Sequence, residues 1–533
     1  MGIRVKFSRW LSEDEFREVL EFADYKGVVN GERIFEINPV KLRRANLSLR
    51  DVLAIIDSMG GVVEELPPGV GATEKIARLR VEDGLYVLRS RERLLELLAE
   101  FGGTVRYSRE LKGFIVKPYV VVDVVDKLRR AGFEVVDETG LLEPKPFNES
   151  ISLRYELRPY QREALEAWKA NKYRGVIALP TGAGKTIVAL AAIAELKVPT
   201  LIVVYTREQL KQWVEKIREA LTVSPWEVGA FYGEEKRIAP ITVTTYQTAW
   251  RRVDELRDKF ALLIVDEAHH LPAERFRLIA EGVLAPYRMA LSATPEREDG
   301  LHVELFRLMG GLIYRKSASE LAAQGYLAQY RIVTKYVTLT PKEAMKYREL
   351  RRKYAELAAG RDINELIRLA ASGDESASKA LKILNEMRKI VINAENKLKL
   401  AKEIAEQEAS KGSKVIIFTQ YVEQAKKLGV LLGAPVITGK TDRVKRDLAL
   451  HLFKTGRARI LVVTTVGDEG LDIPDANVGI ILSGTSSKRQ FIQRLGRLLR
   501  PAPGKKEAIL YEIVVKGTME EAQARRRAFL IDL

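Results

Sequence analysis

The chain has 533 residues and no cysteine. That absence excludes disulfides, thiolate-bound metals and iron–sulfur clusters, and it fits a reducing compartment. Histidine is nearly as scarce, with four copies, so a dedicated histidine-ligated metal centre is not expected. No apolar run reaches the ~20 residues that a membrane-spanning helix needs. The opening MGIRVKFSRW has no signal-peptide apolar core, and Lys6 breaks the N-myristoylation pattern. These absences predict a cytoplasmic protein with no membrane partner. Negative charge is also in deficit: 72 Asp and Glu face 88 Lys and Arg, a net +16. Such an excess favours a polyanionic partner. Nucleic acid is preferred over a membrane because no basic amphipathic anchor stands out. What is abundant is core material and charge, at 46% hydrophobic and 30% charged residues. Together they describe a globular chain of three or four domains. Few thermolabile residues among many charges suit a hot-growing source.

Residues 1–148 read as short alternating strands and helices, with one module expected over 1–70 and a second over 71–148. The stretches 52–65 and 124–138 both read as amphipathic helix, glycine stop and β-branched strand, which suggests a duplication. The PPGVGA segment at 67–72 reads as the joint between the modules. After the linker EPKPFN at 143–148, strands and helices alternate in a βαβ rhythm over 149–333, which implies a parallel sheet. A charged, helix-prone stretch at 341–394, interrupted by Ser372, Gly373 and Asp374, predicts a helical insertion shaped as a hairpin, bounded at 334–395. A second α/β run fills 396–533. The fold class is therefore α/β, with two tandem parallel-sheet units, small N-terminal α/β modules and the helical insertion.

The chemistry begins at RGVIALPTGAGKT. An apolar run at 176–179 is short enough for a buried strand. Pro180, Thr181, Gly182, Ala183 and Gly184 make a turn of small residues, and Lys185, Thr186 and a helix-like apolar segment at 187–196 follow. Backbone N–H groups and the helix N-terminus then face an anion, Lys185 neutralises it, and the Thr186 hydroxyl ligates Mg²⁺. A strict P-loop has glycine where this chain has Leu179. FALLIVDEAHH at 260–270 reads as a buried strand ending in two acids, which places them at the ligand crevice of a parallel sheet. Asp266 holds Mg²⁺ through water and Glu267 polarises the attacking water of a phosphoryl transfer. His269 reads as a polar coupler between nucleotide and nucleic acid. In the second unit, Gln493, Gly496, Arg497 and Arg500 recur at helical spacing on one face. That face is suited to reach a transferring γ-phosphoryl, as arginine fingers do. GDEGLDIP at 467–474 is a glycine–acid loop suited to sensing phosphate or ribose. Tyr205, Thr206, Thr244, Thr245, Tyr246, Thr464 and Thr465 follow apolar runs and offer hydroxyls to backbone phosphates.

Collectively these stretches resemble a superfamily 2 helicase and, within it, the XPB group in its archaeal form, over roughly residues 150–533. LRPYQ at 157–161 resembles the adenine-reading motif, which implies base contacts from Arg158 and Gln161. LPTGAGKT is similar to motif I in its superfamily 2 form and accounts for Leu179. DEAH at 266–269 resembles motif II; Ser292, Ala293 and Thr294 resemble motif III and imply coupling. The stretch 415–420, with Thr419 and Gln420, is similar to motif IV. Thr464 through Gly470 and Asp472 resembles motif V, and 493–500 resembles motif VI. Arg297, Glu298 and Asp299 resemble the RED motif of the XPB group; a role in wedging a duplex or closing the two motor domains is assigned to them. The insertion is similar to that group's thumb, and 71–148 holds the position of a damage-recognition domain.

The resemblance implies two RecA-like motor domains, ATP with Mg²⁺, and DNA opening or translocation in nucleotide excision repair or transcription. Duplex and forked DNA and a partner nuclease or repair factor are the implied partners, with a nucleoid-associated location. ATP bound between two sheets converts binding into motion when arginines of the second domain favour the closed state. Two alternatives remain: an RNA helicase, and a non-catalytic ATP-gated DNA clamp. No aromatic stacking platform for single-stranded RNA is evident, and Lys185, Glu267, Arg497 and Arg500 argue against the clamp.

Overall fold

The computed structural model describes residues 3–45, 47, 49–64, 75–233, 235–297, 299–464, 476–482, 507–522 and 524. The chain divides into two compact units. The first comprises Met1–Leu79, Val87–Phe114 and Asp123–Glu138, and the second comprises Arg80–Tyr86, Ile115–Val122 and Thr139–Leu533.

The N-terminal part of the chain carries two small sheets. Strands β1 (Arg4–Phe7), β2 (Ala23–Val29), β3 (Glu32–Ile37) and β4 (Val62–Val63) lie in the order β2-β3-β1-β4. Their core is aromatic: Phe7, Phe22 and Phe35 are buried, with Phe7 edge-on to Phe35 at 5.7 Å. Strands β5 (Lys75–Glu82), β6 (Leu85–Ser90), β7 (Val105–Ser108), β8 (Gly113–Val116) and β9 (Phe133–Asp137) lie in the order β7-β8-β6-β5-β9. The helix–glycine–strand pattern predicted twice is present twice, as Leu49–Ser58 before β4 and Val121–Arg130 before β9. The duplication inferred from it does not extend to topology. β4 pairs antiparallel with β1, whereas β9 pairs parallel with β5. A shared local pattern sets a helix and a strand but not the strand's partner, which depends on the rest of each core. The joint inferred at 67–72 lies outside the described residues.

The second unit is built on two larger sheets. Strands β10 (Arg174–Ala178), β11 (Thr200–Val204), β12 (Val228–Tyr232), β13 (Glu235–Lys236), β14 (Ile241–Thr245), β15 (Leu262–Val265), β16 (Tyr287–Ser292) and β17 (Leu312–Arg315) lie in the order β13-β12-β14-β11-β15-β16-β10-β17. All their pairings are parallel except that of the short edge strand β13. Strands β10, β11, β14 and β15 are buried at every position. Continuous apolar runs therefore read as strands covered on both faces. The helices that cover them start on local signals. Pro159 opens Pro159–Ala170, and Thr206 and Gln209 form a reciprocal capping box at the start of Arg207–Ala220.

The third-layer surprise lies in β16. Arg288 is wholly buried, and its guanidinium donates to the carbonyls of Ala280, Val283, Ala285 and Leu308 at 2.8, 3.1, 3.0 and 3.2 Å. These carbonyls close the C-terminal ends of helices Arg277–Gly282 and His302–Met309, where a cation also meets the negative end of each helix dipole. Desolvation lowers the Arg288 pKa to about 9, which leaves it charged at neutral pH.

Strands β18 (Gln329–Val337), β19 (Val415–Thr419), β20 (Val436–Ile437), β21 (Ile460–Thr464), β22 (Val478–Ile481) and β23 (Glu507–Val515) form the second sheet, ordered β18-β23-β22-β19-β21-β20, with its pairings parallel among the described residues. β18 crosses the boundary inferred at 334 and runs in register with β23 over its whole length. The second sheet thus begins before the helical insertion. The reading missed this because YRIVTKYV abuts a helix-prone stretch and its strand partner lies far along the chain. The insertion is also more than a hairpin of two helices. Ser372, Gly373 and Asp374 do break it, but Ala359 and Gly360, at φ +48° and +79°, break it as well. The result is three helices, Pro341–Ala358, Ile363–Ala371 and Glu375–Ile392, with the first and third packed together. Asp362 and Asp374 cap the second and third. Beyond the insertion, the buried Lys397 ammonium donates to the Leu482 carbonyl at 2.5 Å and to Glu520 at 2.6 Å. It ties helix Glu395–Ser410 to the end of β22 and to the segment after β23.

Replacing Arg288 by Met removes the donors from four buried carbonyls at once. We expect a loss of at least ~3 kcal/mol in stability, since each buried acceptor left unpaired costs ~1–3 kcal/mol. Arg288→Lys should recover only part, because an ammonium lacks the planar fork. Urea unfolding followed by tryptophan fluorescence measures both, and wild-type stability in Arg288→Met would refute the capping role.

Candidate functional site

The site forms where β10, β16 and β15 end side by side. β16 lies between the other two, so the loop after β10 and the acids after β15 flank the end of β16. The pairing of Ala178 with Ser292, and the hydrogen bond from Leu179 N to the Ser292 carbonyl at 3.1 Å, fix this register. Carboxyl ends of parallel strands are where α/β sheets hold ligands.

The loop after β10 turns on two glycines. Gly182 and Gly184 adopt φ +86° and +77°, and Gly184 is the N-cap of helix Lys185–Leu196. A side chain at Gly184 would also meet Gln161 Nε2 at 2.5 Å. Small residues here therefore answer to both backbone conformation and close approach. The helix N-terminus has no side-chain cap, which leaves its dipole and amides to an anion. Lys185, the first helical residue, donates Nζ to the carbonyls of Leu179 at 2.9 Å and Pro180 at 3.3 Å. Burial lowers its pKa, and the charges of Glu267 and Asp266 oppose that shift. The ammonium lies in the field of the two carboxylates. Tyr160 Oη and Gln161 Nε2 both donate to the Ala183 carbonyl, at 2.7 and 3.1 Å, while Gln161 Oε1 accepts from Arg158 N at 3.0 Å. Gln161 and its neighbour therefore brace the loop.

The acids after β15 are held from three sides. Asp266 Oδ2 accepts from Trp213 Nε1 at 2.9 Å, and Oδ1 accepts from Glu267 N at 2.9 Å. Glu267 adopts the left-handed region, φ +46° and ψ +47°, a conformation costing ~1–2 kcal/mol for a residue with a side chain. Tyr246, fully buried, lies with Oη 3.2 and 3.3 Å from the carbonyls of Asp266 and Glu267. Burial, then the two acids, raises its pKa well above the usual phenol value, so it remains a donor. Trp213 and Tyr246 are functional supports that sequence reasoning missed or misassigned. Trp213 sits at helical spacing with Leu210 and Ile217 and reads as an ordinary core residue.

His269 is buried, with Nδ1 3.4 Å from Glu267 Oε2 and 3.4 Å from Ser292 Oγ. Ser292 Oγ accepts from Thr294 N at 3.2 Å. The residues read as couplers are thus brought together with Glu267; Ala293 lies in the same turn. The Thr294 hydroxyl is buried without a hydrogen-bond partner among the described residues.

Arg297 and Asp299, read as DNA contacts, are occupied otherwise. The Arg297 guanidinium grips both oxygens of Asp299, at 2.9 and 2.5 Å, and donates to the His269 carbonyl at 2.6 Å. That guanidinium holds the Asp299 pKa down at about 2. The pair therefore clips the following loop to the backbone of the acidic turn. Glu298 lies outside the described residues.

The hydroxyl residues read as phosphate contacts also serve the fold. Thr244 is buried and donates to the Phe231 carbonyl at 2.7 Å. Thr245 and Thr206 cap helices through Thr248 N and Gln209 N. Tyr246 supports the acids, and the Tyr205 ring stacks on His270 at 3.9 Å. Thr419 is buried, with Oγ1 3.4 Å from the Val463 carbonyl, whereas Gln420 is exposed. Thr464 is buried with an unpartnered hydroxyl among the described residues. The physical reason is shared: a hydroxyl at the end of a buried strand is close to backbone groups that need partners, and satisfies them first. The exposed cations on the segments after β14 and β15 are elsewhere. Arg251 and Arg275 flank the Trp250 ring, with guanidinium carbons 5.4 and 5.6 Å from its centre. Their scatter in sequence hid them; only the fold joins them.

A magnesium nucleotide fits these residues. The glycine-formed cradle excludes a Cβ, a cation stands at the helix N-terminus, and hard oxygen donors are present in Thr186 and Asp266. No cluster of three or more His, Cys, Asp or Glu gathers among the described residues. Gly470, Asp472, Gln493, Arg497, Arg500 and Thr465, the contributions inferred from the second sheet, lie outside the described residues.

Residues 154–297 match the family described as the type III restriction enzyme, res subunit, and residues 372–533 match the ERCC3/RAD25/XPB C-terminal helicase family. The chain is 41% identical to the DNA 3'-5' translocase XPB2 of Sulfurisphaera tokodaii over 431 residues, covering 79% of this chain and 95% of that protein. It is 32% identical to the DNA 3'-5' helicase XPB of Mycobacterium tuberculosis, covering 78% of this chain and 72% of that one. It is 29% identical to the general transcription and DNA repair factor IIH helicase/translocase subunit XPB of Antonospora locustae, covering 81% of this chain and 62% of that one. With two tandem parallel sheets, a glycine-formed loop flanked by two acids, and this identity to a relative spanned almost end to end, the chain belongs to the XPB family of DNA helicases and translocases.

Proposed function

We propose that this protein is an ATP-driven DNA motor that translocates 3'-5' and opens duplex and forked DNA in repair or transcription. One observation carries the reading: a half-buried lysine in a glycine-formed cradle, within the field of two carboxylates, in a chain 41% identical to a DNA translocase across 95% of that protein. The amides of Gly182, Ala183 and Gly184, beside Pro180 and Thr181, cradle the phosphates, and Lys185 neutralises the charge that grows on them. Arg158 and Gln161 face the base. Thr186 and Asp266 hold Mg²⁺, which supplies charge neutralisation on the phosphate oxygens when bound. Glu267 polarises the attacking water, and its left-handed backbone aims the carboxylate independently of Asp266. His269, Ser292, Ala293 and Thr294 relay the state of Glu267 toward the end of β16. Gln493, Arg497 and Arg500, with Gly470 and Asp472, complete the site from the second motor domain and favour its closed form.

A buried hydroxyl without a partner costs ~1–3 kcal/mol, so that of Thr294, unpartnered among the described residues, favours a state in which closure or DNA supplies one. The positively charged contact to the DNA backbone is assigned to Arg251 and Arg275. Trp250 between them limits their rotamers and lowers the entropy lost on binding a phosphate. The three-helix insertion is the second DNA-engaging element, and a nuclease or repair factor is the protein partner.

Lys185→Ala should abolish turnover, and Glu267→Gln should bind ATP but hydrolyse it at least ~100-fold more slowly, the scale of a lost general base. Coupled-enzyme ATPase assays with duplex DNA test both; unchanged kcat in Lys185→Ala would refute the site. The double replacement Arg251→Ala, Arg275→Ala should reduce the slope of log affinity against log salt by about 2. Fluorescence anisotropy with a labelled duplex across a salt series measures that, and an unchanged slope removes these residues from the DNA contact. Duplex DNA, and not RNA, should stimulate the ATPase.

A further inference from the structure

Between the two motor sheets the chain passes through a short helix, Ala318–Ala323, and a turn that leads into β18. The turn is built as a defined stop. Gly325 adopts φ +77°; its N–H bonds the Ala322 carbonyl at 3.0 Å, and Tyr326 N–H bonds the Leu321 carbonyl at 2.9 Å. This paired arrangement ends a helix on a left-handed glycine and fixes the direction of the next residue. That residue is Tyr326, three positions before β18 begins at Gln329.

Tyr326 is held from the nucleotide side twice. Its ring meets Tyr160 edge-on, with centroids 5.0 Å apart, and its carbonyl accepts from Arg158 Nη1 at 3.3 Å. The Arg158 guanidinium also lies 5.9 Å from the centre of the Tyr326 ring. Tyr160 in turn donates to the Ala183 carbonyl inside the phosphate cradle at 2.7 Å. An unbroken series of contacts therefore runs from Ala183 through Tyr160 to Tyr326, and by covalent continuity to the first strand of the second sheet. Tyr160 is fully buried, so it cannot absorb a shift of the loop by swinging into solvent. Gly325 has open space where a Cβ would sit, with no atom within 4 Å.

We infer that Tyr326 is a positioning residue that transmits the state of the phosphate cradle to the second motor domain. The inference rests on the ATPase reading above. It predicts a separation of two quantities. Removing the Tyr326 ring breaks the contact with Tyr160 but touches neither the cradle amides nor Lys185. ATP binding and basal turnover are then retained, while the acceleration by DNA, which requires the second domain to respond, is lost.

The test uses the full chain with Tyr326→Ala, Tyr326→Leu and Tyr326→Phe. Basal and duplex-stimulated kcat and the KM for ATP are measured, with thermal melting to confirm folding. We expect the stimulation factor to fall about 3- to 30-fold in the Ala and Leu variants, the range of couplings carried by such networks. The Phe variant keeps the ring and should stay near wild type, and KM and basal kcat should be unchanged in all three. Leu retains apolar bulk at this half-buried position and decides the matter if Ala does not fold. Wild-type stimulation in the Leu variant overturns the inference. So does an equal fall in basal and stimulated rates, which marks a residue that merely supports the cradle. If wild type itself is not stimulated by duplex DNA, the ATPase reading fails, and that outcome is distinct from either result in the variants.

Discussion

The site depends on one electrostatic constraint: a lysine ammonium partly withdrawn from water and placed in the field of two carboxylates. Burying a cation costs several kcal/mol unless something offsets it. Here the Leu179 and Pro180 carbonyls and the field of Asp266 and Glu267 do so. The arrangement dictates geometry well beyond the pair. β10 and β15 must end at the same level with a single strand between them, and the loop must turn sharply enough for Lys185 to reach its own carbonyls. The two left-handed glycines make that turn, and Tyr160 and Gln161 hold it from behind.

The supports of the acids follow the same logic. Glu267 occupies a backbone region that disfavours a side chain, and Trp213, Tyr246 and the Asp266 carboxylate oppose its relaxation. Arg297 adds a fourth tie, from the His269 carbonyl to Asp299. A carboxylate held this way would need little reorganisation if charge developed on a group bound beside it. The same ties give neighbouring loops a stake in its position. Such sharing allows a motor to make hydrolysis depend on events elsewhere in the fold.

Strong local signals were legible at once. Apolar runs of four or five residues became buried parallel strands, and the glycine–lysine turn and the acid pair fell at carboxyl strand ends as read. The motif resemblance led to the family that the comparisons support. Readings that required a partner did less well. The boundary read at 334 cut through β18, because its partner, β23, enters only at Glu507. The hydroxyl residues after the strands were read as phosphate contacts from their position alone. Yet Thr244 and Tyr246 were already engaged by the backbone around them, and such local competition is invisible without the fold.

The sequence by itself determined that the chain is a two-sheet α/β protein with a phosphate cradle, an acid pair and a basic surplus, because these follow from periodicity, residue size and charge. Only the tertiary structure decided which side chains serve the site and which serve the fold. A threonine or arginine carries the same chemistry in either role. Burial and the nearest unsatisfied carbonyl choose between them, as they chose Arg288 to cap two helices, Arg297 to hold an acidic turn, and Arg251 and Arg275 to remain at the surface.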